Sequence, residues 1–169
     1  MIPPWVDRRE YQFEPQGLDV EGGRLSYVDA GEGDPIVMVH GTPTWSFLYR
    51  RLIRELSPRY RCVAPDHLGF GLSDRPAGWS YRPEDQAQNL ARLIETLKLK
   101  DITLAVHDFG GPIGLAYALD HPENVRRLVI FNTCGCGRSP AIGPSRGRRG
   151  SSPAGSAATS TSAARSRCG

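Results

Sequence analysis

The chain has 169 residues, with 21 Lys and Arg against 18 Asp and Glu, four His and four Cys. All 18 acidic residues fall in residues 1–133 beside 15 basic ones, a net −3, while residues 134–169 carry six Arg and no acid, a net +6. The overall +3 averages two unlike segments, which excludes a basic, nucleic-acid-binding body and makes one domain plus a tail the expected organisation.

Residues 1–133 read as alternating strands and helices. Arg24–Asp29 alternates like a half-buried strand, with Leu25, Tyr27 and Asp29 on one side. Pro35–Val39 is a continuous apolar run between glycines, as a strand buried on both faces should be. From Thr44 to Leu56, Leu48, Leu52, Ile53 and Leu56 mark one face of a helix, with Pro43 and Thr44 at its start. Tyr60–Ala64 is the next strand, followed by a glycine-rich loop from Asp66 to Gly78. Pro83–Lys98 places Leu90, Leu93, Ile94 and Leu97 at amphipathic helical spacing. Ile102–Val106 is a strand, Gly110–Leu119 a helix and Val125–Phe131 a strand again. Such alternation predicts an α/β fold with a mostly parallel sheet covered by helices.

The pattern stops at Thr133. Residues 134–169 hold one large aliphatic residue among Ser, Gly, Ala, Arg and Pro, too little apolar surface to offset ordering entropy, so disorder is expected there. The R-G-R-R-G run is too poor in other signals to predict nucleic-acid binding. Gly, Ala, Arg, Pro and Ser are the residues GC-rich codons specify, so the change at Cys134 reads as a shifted frame after Thr133. Cys62 sits in an apolar stretch and reads as a buried thiol. Cys134 and Cys136 form a C-x-C pair without a second pair or nearby His, a poor zinc site. The longest aliphatic run, Ile36–Val39, is far too short to span a bilayer, and the amino terminus does not read as a signal peptide. A cytoplasmic location follows as the expectation.

The strongest chemical signal is V-H-D-F-G-G, residues 106–111, where a strand meets a helix. In a nucleophile elbow the central residue sits on a tight turn at the carboxyl edge of the sheet, flanked by small residues. Asp108 is central, with Gly110 and Gly111 following; the usual glycine two residues before is Val106. Asp108 reads equally as a nucleophile or as the cap of the following helix. A second element, H-G-T-P-T-W at residues 40–45, leaves the Ile36–Val39 strand where an oxyanion donor belongs, so the Thr42 and Phe109 amides would converge on one carboxylate oxygen. A third, P-D-H-L-G-F-G-L-S-D-R-P at residues 65–76, follows the next strand. All three lie at carboxyl ends of parallel strands, where an open α/β sheet binds its ligand.

Together, H-G-T-P-T-W-S-F-L-Y-R, P-D-H-L-G-F-G-L-S-D and V-H-D-F-G-G-P-I-G-L-A-Y-A-L-D-H-P make residues 24–133 resemble the amino-terminal half of haloalkane dehalogenases, in the α/β-hydrolase superfamily. Epoxide hydrolases are close relatives with the same nucleophile. The resemblance implies a truncated α/β-hydrolase fold without its cap domain and last strands. It implies that Asp108 attacks a halogen-bearing carbon, that water hydrolyses the resulting alkyl ester, and that Thr42 and Phe109 hold the oxyanion or halide. A small halogenated alkane or epoxide would be the substrate, with no cofactor or metal required.

Three departures stand out. Phe109 replaces the Trp whose indole N–H helps bind halide, and Thr42 stands where several members carry Asn. The base His, which members place beyond a helical cap, has no counterpart in this chain. His40, His67, His107 and His121 each read as structural. The orienting acid is equally unplaced, since Asn132 stands where some members carry it, and Asp29, Asp66 and Asp74 read as turn and loop residues satisfying backbone donors. An inactive fragment or non-catalytic remnant is therefore the expectation for these 169 residues as they stand.

Overall fold

The computed structural model describes residues 2–133. In chain order these form β1 (Gln16–Val20), β2 (Gly23–Ala30), β3 (Pro35–Val39), a 3₁₀ turn (Ser46–Tyr49) running into α1 (Arg50–Leu56), β4 (Arg61–Pro65), α2 (Pro83–Thr96), β5 (Ile102–His107), α3 (Gly110–Asp120), a second 3₁₀ turn (Pro122–Asn124) and β6 (Val125–Phe131). The strands form one sheet in the order β1-β2-β4-β3-β5-β6. β3, β4, β5 and β6 run parallel, while β1 and β2 are antiparallel to their neighbours. The expected α/β class, a mostly parallel sheet covered by helices, is thus found.

Alternation along the strands divides the core between two faces. Val37 and Val39 of β3 and Leu104 and Val106 of β5 pack with Leu90, Leu93 and Ile94 of α2 and Ile113 of α3. Met38 and Ala105 point the other way, toward Ile53 of α1, Tyr49, Tyr11 and Cys62. Cys62 is fully buried, and burial pushes its thiol up to about 11. α2 begins with Pro83 at its first turn beside Glu84 and Asp85, which suits the helix dipole.

Several sequence expectations need correction. β1 was not foreseen: its Q-G-L-D-V has little apolar character because it is an edge strand that buries no residue fully. β2 is not half-buried, since Leu25 and Tyr27 enter one core and Val28 the other. Asp29 is no turn residue either; on β2 it holds Arg61 of β4 through two oxygens at 2.9 and 2.7 Å. The helix predicted from Thr44 begins at Ser46, because Thr44 closes the preceding loop through its N–H and hydroxyl onto the Gly41 carbonyl (3.2 and 3.1 Å). Leu48 and Leu52 remain exposed, and Ile53 is the buried anchor of that helix. Cys134, Cys136 and Cys168, the arginine-rich run and the disorder expected over residues 134–169 lie outside the described residues. Among the described residues no helix is long and apolar enough to cross a membrane.

Candidate active site

β3, β4 and β5 end side by side, and the loops after them meet at the carboxyl edge of the sheet. Asp108 occupies the turn between β5 and α3 with φ of +50°, a left-handed conformation that a side chain other than Gly or Asn adopts at a cost. Its own N–H reaches the Phe131 carbonyl of β6 at 3.4 Å, and its carbonyl accepts from the Gly111 N–H at 3.0 Å and from the Thr133 hydroxyl. Backbone bonds on both sides therefore hold the turn.

The Asp108 carboxylate is not a helix cap. α3 starts at Gly110, and the residue in the cap position is Phe109, with helical dihedrals and no side-chain cap. Instead the Thr42 N–H donates to Asp108 Oδ1 at 2.9 Å, with the Thr42 hydroxyl 3.5 Å from the same oxygen. The Phe109 amide, most of all, and the Thr42 amide hold the carboxyl below its ordinary range, so it is ionised at neutral pH.

Two glycines permit this approach. A Cβ on Gly41 would lie 2.3 Å from Asp108 Oδ1, and one on Gly110 would lie 2.3 Å from the Val39 carbonyl oxygen. The departure at Val106 is absorbed across the helix, where a Cβ on Gly114 would meet Val106 Cγ1 at 2.5 Å. The helix supplies the small residue that the strand lacks.

The buried Asp66 ties the loops together. Its Oδ1 accepts from the Ser46 N–H at 2.7 Å and its Oδ2 from the Leu72 N–H at 2.9 Å, as a residue satisfying backbone donors should. Burial outweighs those bonds and pushes its carboxyl up to about 6. Asp74 likewise accepts from the Arg24 N–H at 2.8 Å. Neither acid is paired with a histidine.

The four histidines are occupied elsewhere or lack a link to the carboxylate. His40 Nε2 accepts from the His67 N–H at 3.0 Å, so the proton sits on Nδ1, which donates to the Gly41 carbonyl at 2.8 Å. Burial drives His40 down to about 4. His67 Nε2 donates to the His40 carbonyl at 3.1 Å, and burial, then the neighbouring His40, keeps it neutral. His121 closes the far end of α3, about 16 Å along the helix from Gly110, and lies against Tyr117. His107 has a buried Nδ1 with no hydrogen-bond partner. Among the described residues no imidazole is hydrogen-bonded to Asp108. No sequence signal marks the His40–His67 pairing, because the two residues lie on different loops.

Beside the carboxylate lies a cleft of about 330 Å³ with mostly apolar walls, including Thr42, His67, Phe70, Phe109 and Ile113. A cleft of this size suits a small, largely apolar molecule. Phe109 presents an exposed ring there and no side-chain donor.

Comparison with known proteins agrees with this architecture. The chain is 46% identical over 127 residues to haloalkane dehalogenase 2 of Mycobacterium tuberculosis, covering 75% of this chain and 44% of that protein. It is equally identical, over 124 residues, to a cis-3-alkyl-4-alkyloxetan-2-one decarboxylase of Shewanella oneidensis, covering 72% of this chain and 39% of that one. An epoxide hydrolase from Bacillus megaterium, crystallised with its diol product, superposes with a TM-score of 0.65 at 36% identity, covering 70% of this chain and 42% of that structure. The chain thus spans less than half the length of the curated relatives it matches. The profile of the alpha/beta hydrolase fold matches residues 34–155. That match opens one residue before β3 and takes in every element that carries the Asp108 turn, so the chain belongs to the alpha/beta hydrolase fold family.

Proposed function

We propose that Asp108 is the nucleophile of a haloalkane dehalogenase-like hydrolase and that its turn is a nucleophile elbow. The observation that carries this reading is one ionised carboxylate held at a left-handed turn, with the Thr42 and Phe109 amides on it, both of those residues lining an apolar cleft. A carboxylate can displace a leaving group from a saturated carbon. The Asp108 oxygen forms a C–O bond while the C–X bond breaks, halide departs with the electron pair, and an alkyl ester remains. Attack of water on the ester carbonyl would then place negative charge on an oxygen that the Thr42 and Phe109 amides can hold.

Water needs a base, and none of the four histidines is set to serve Asp108. Within residues 1–169 the ester is therefore expected to persist. Incubated with a short bromoalkane, the chain should gain one alkyl mass on Asp108 with a single equivalent of bromide released. Asp108→Ala should gain none. Sustained bromide release would show that one of His40, His67, His107 or His121 acts as base, and no adduct at all would remove Asp108 as nucleophile.

Epoxide opening is the second reading. Phe109 offers no donor to a departing halide, whereas the Thr42 hydroxyl stands beside the carboxylate and could donate to a ring oxygen. The two readings separate by mass. An epoxide adds its whole mass as a hydroxyalkyl ester after taking up one proton, while a bromoalkane adds its mass less hydrogen bromide.

A further inference from the structure

We propose that Asp66 and His67 are positioning residues, a two-residue clamp that sets the Thr42 amide against Asp108. Its bearing on the chemistry rests on the reading of Asp108 as nucleophile. The pair follows β4 directly and grips both ends of the loop that carries Thr42. At the amino end, the His67 N–H donates to His40 Nε2 at 3.0 Å and His67 Nε2 donates to the His40 carbonyl at 3.1 Å. At the carboxyl end, Asp66 Oδ1 accepts from the Ser46 N–H at 2.7 Å. His40, Ser46, Asp66 and His67 are all buried.

Between its gripped ends the loop is closed on itself. His40 Nδ1, the Thr44 N–H and the Thr44 hydroxyl all donate to the Gly41 carbonyl, at 2.8, 3.2 and 3.1 Å. A loop so bonded passes a displacement at either end on to Thr42. Little displacement is tolerable there. The Thr42 nitrogen lies 2.9 Å from Asp108 Oδ1, and a Cβ on Gly41 would lie 2.3 Å from the same oxygen. The clamp in turn is fixed to the sheet and to the loop beyond it. The Asp66 N–H donates to the Ser26 carbonyl of β2 at 2.8 Å, and the Asp66 carbonyl accepts from the Ser73 hydroxyl at 2.6 Å.

A carboxylate in this place gives the clamp a signature of its own. Both Asp66 oxygens face backbone N–H groups, of Ser46 and of Leu72, so a proton on either oxygen meets a donor and one bond is lost. Burial pushes this carboxyl up to about 6, whereas the Asp108 carboxyl is held below its ordinary range. The other titratable or charged groups facing Asp66 are Tyr11, which bonds the Ser46 hydroxyl, the Arg75 guanidinium, and His67 with its partner His40. Burial raises the Tyr11 hydroxyl and lowers both imidazoles, His40 to about 4. Of these side chains, Asp66 is the one whose charge changes as pH falls from about 8 to about 5.

Amide NMR of the 15N-labelled 169-residue chain tests the clamp without relying on the nucleophile. The Thr42, Ser46 and Leu72 amides should shift together with a midpoint near 6, and in Asp66→Asn that titration should vanish from Thr42. His107 lies beside Asp108 and acts in both proteins, so their difference isolates Asp66. Alkylation by a short bromoalkane, followed by intact mass, should slow through the same midpoint. Asp66→Asn should alkylate at least about tenfold more slowly at about pH 8 and lose that pH dependence. His67→Leu should slow alkylation more than His67→Gln, which keeps an N–H to offer the His40 carbonyl, even if Asp66→Asn unfolds in circular dichroism. A Thr42 amide indifferent to pH in this range, or titrating alike in wild type and Asp66→Asn, would overturn the clamp. So would a folded Asp66→Asn that alkylates at the wild-type rate. The Thr42 signature without any adduct would support the clamp and remove Asp108 as nucleophile.

Discussion

At Gly110 the absence of one carbon atom decides whether β3 and α3 can meet, and hence where the Asp108 turn stands. A methyl there would collide with the backbone oxygen of Val39, which cannot swing aside as a side chain could. Gly110→Ala should cost about 2 kcal/mol in denaturant unfolding and lower the yield of the Asp108 adduct. Unchanged stability would show that the helix shifts freely. The buried ionisable groups make a second prediction. His40 is held near 4 when folded and returns to 6.5 when unfolded, so between those values the unfolded chain binds more protons and acid destabilises. His67 acts in the same direction. Asp66 is raised from 3.8 to about 6, so the folded chain binds more protons across that window and acid stabilises. Two imidazoles outweigh one carboxyl, and the melting temperature should fall as pH drops from 6.5 to 4. Asp66→Asn removes the opposing contribution and should steepen that fall. Parallel profiles for the two proteins would show that Asp66 titrates ordinarily.

At the scale of elements, legibility in the sequence followed burial. β3, α2 and β5 were readable because both faces of a central strand, or one face of a long helix, must be apolar, and the residues concerned are buried as a set. β1 was silent because an edge strand has little need to be apolar. The Asp108 turn and the Thr42 loop were legible because glycine and a carboxylate at fixed spacing have few other uses. The His40–His67 pairing and the Asp66 junction were not, because they join loops far apart in the chain. Asp29 misled for a related reason. An acid at a strand end looks like a turn residue, yet its partner Arg61 lies on a neighbouring strand. Asp29→Ala leaves that half-buried guanidinium unpaired, and about 2 kcal/mol of stability should be lost. Arg61→Ala in the same chain should recover part of it, because the stranded charge is removed. A double variant no more stable than Asp29→Ala would show that the pair contributes little beyond its separate side chains.

At the scale of the whole molecule, two segments of opposite charge share one chain. Residues 1–133 carry all 18 acids and hold the two cores found among the described residues, while residues 134–169 carry six Arg and one large aliphatic residue. We propose that residues 1–133 are the folding unit, since burial of apolar surface is what offsets the ordering of a chain. Trypsin tests this because it cleaves after basic residues and needs several residues of extended backbone around the bond. In the body, Arg61 is tied into the sheet by Asp29, and Arg50 bridges to Glu10 at 3.3 Å beneath its contact with the Phe47 ring. The arginines at 138, 146, 148 and 149 have no comparable apolar neighbours in sequence. Brief digestion should therefore cut after these first and leave a product close to residues 1–138, identifiable by intact mass. That product should keep the melting transition of the full chain, because it retains every core residue among the described residues. Simultaneous loss of body and tail, or a product that no longer melts cooperatively, would place part of the folding unit beyond Thr133.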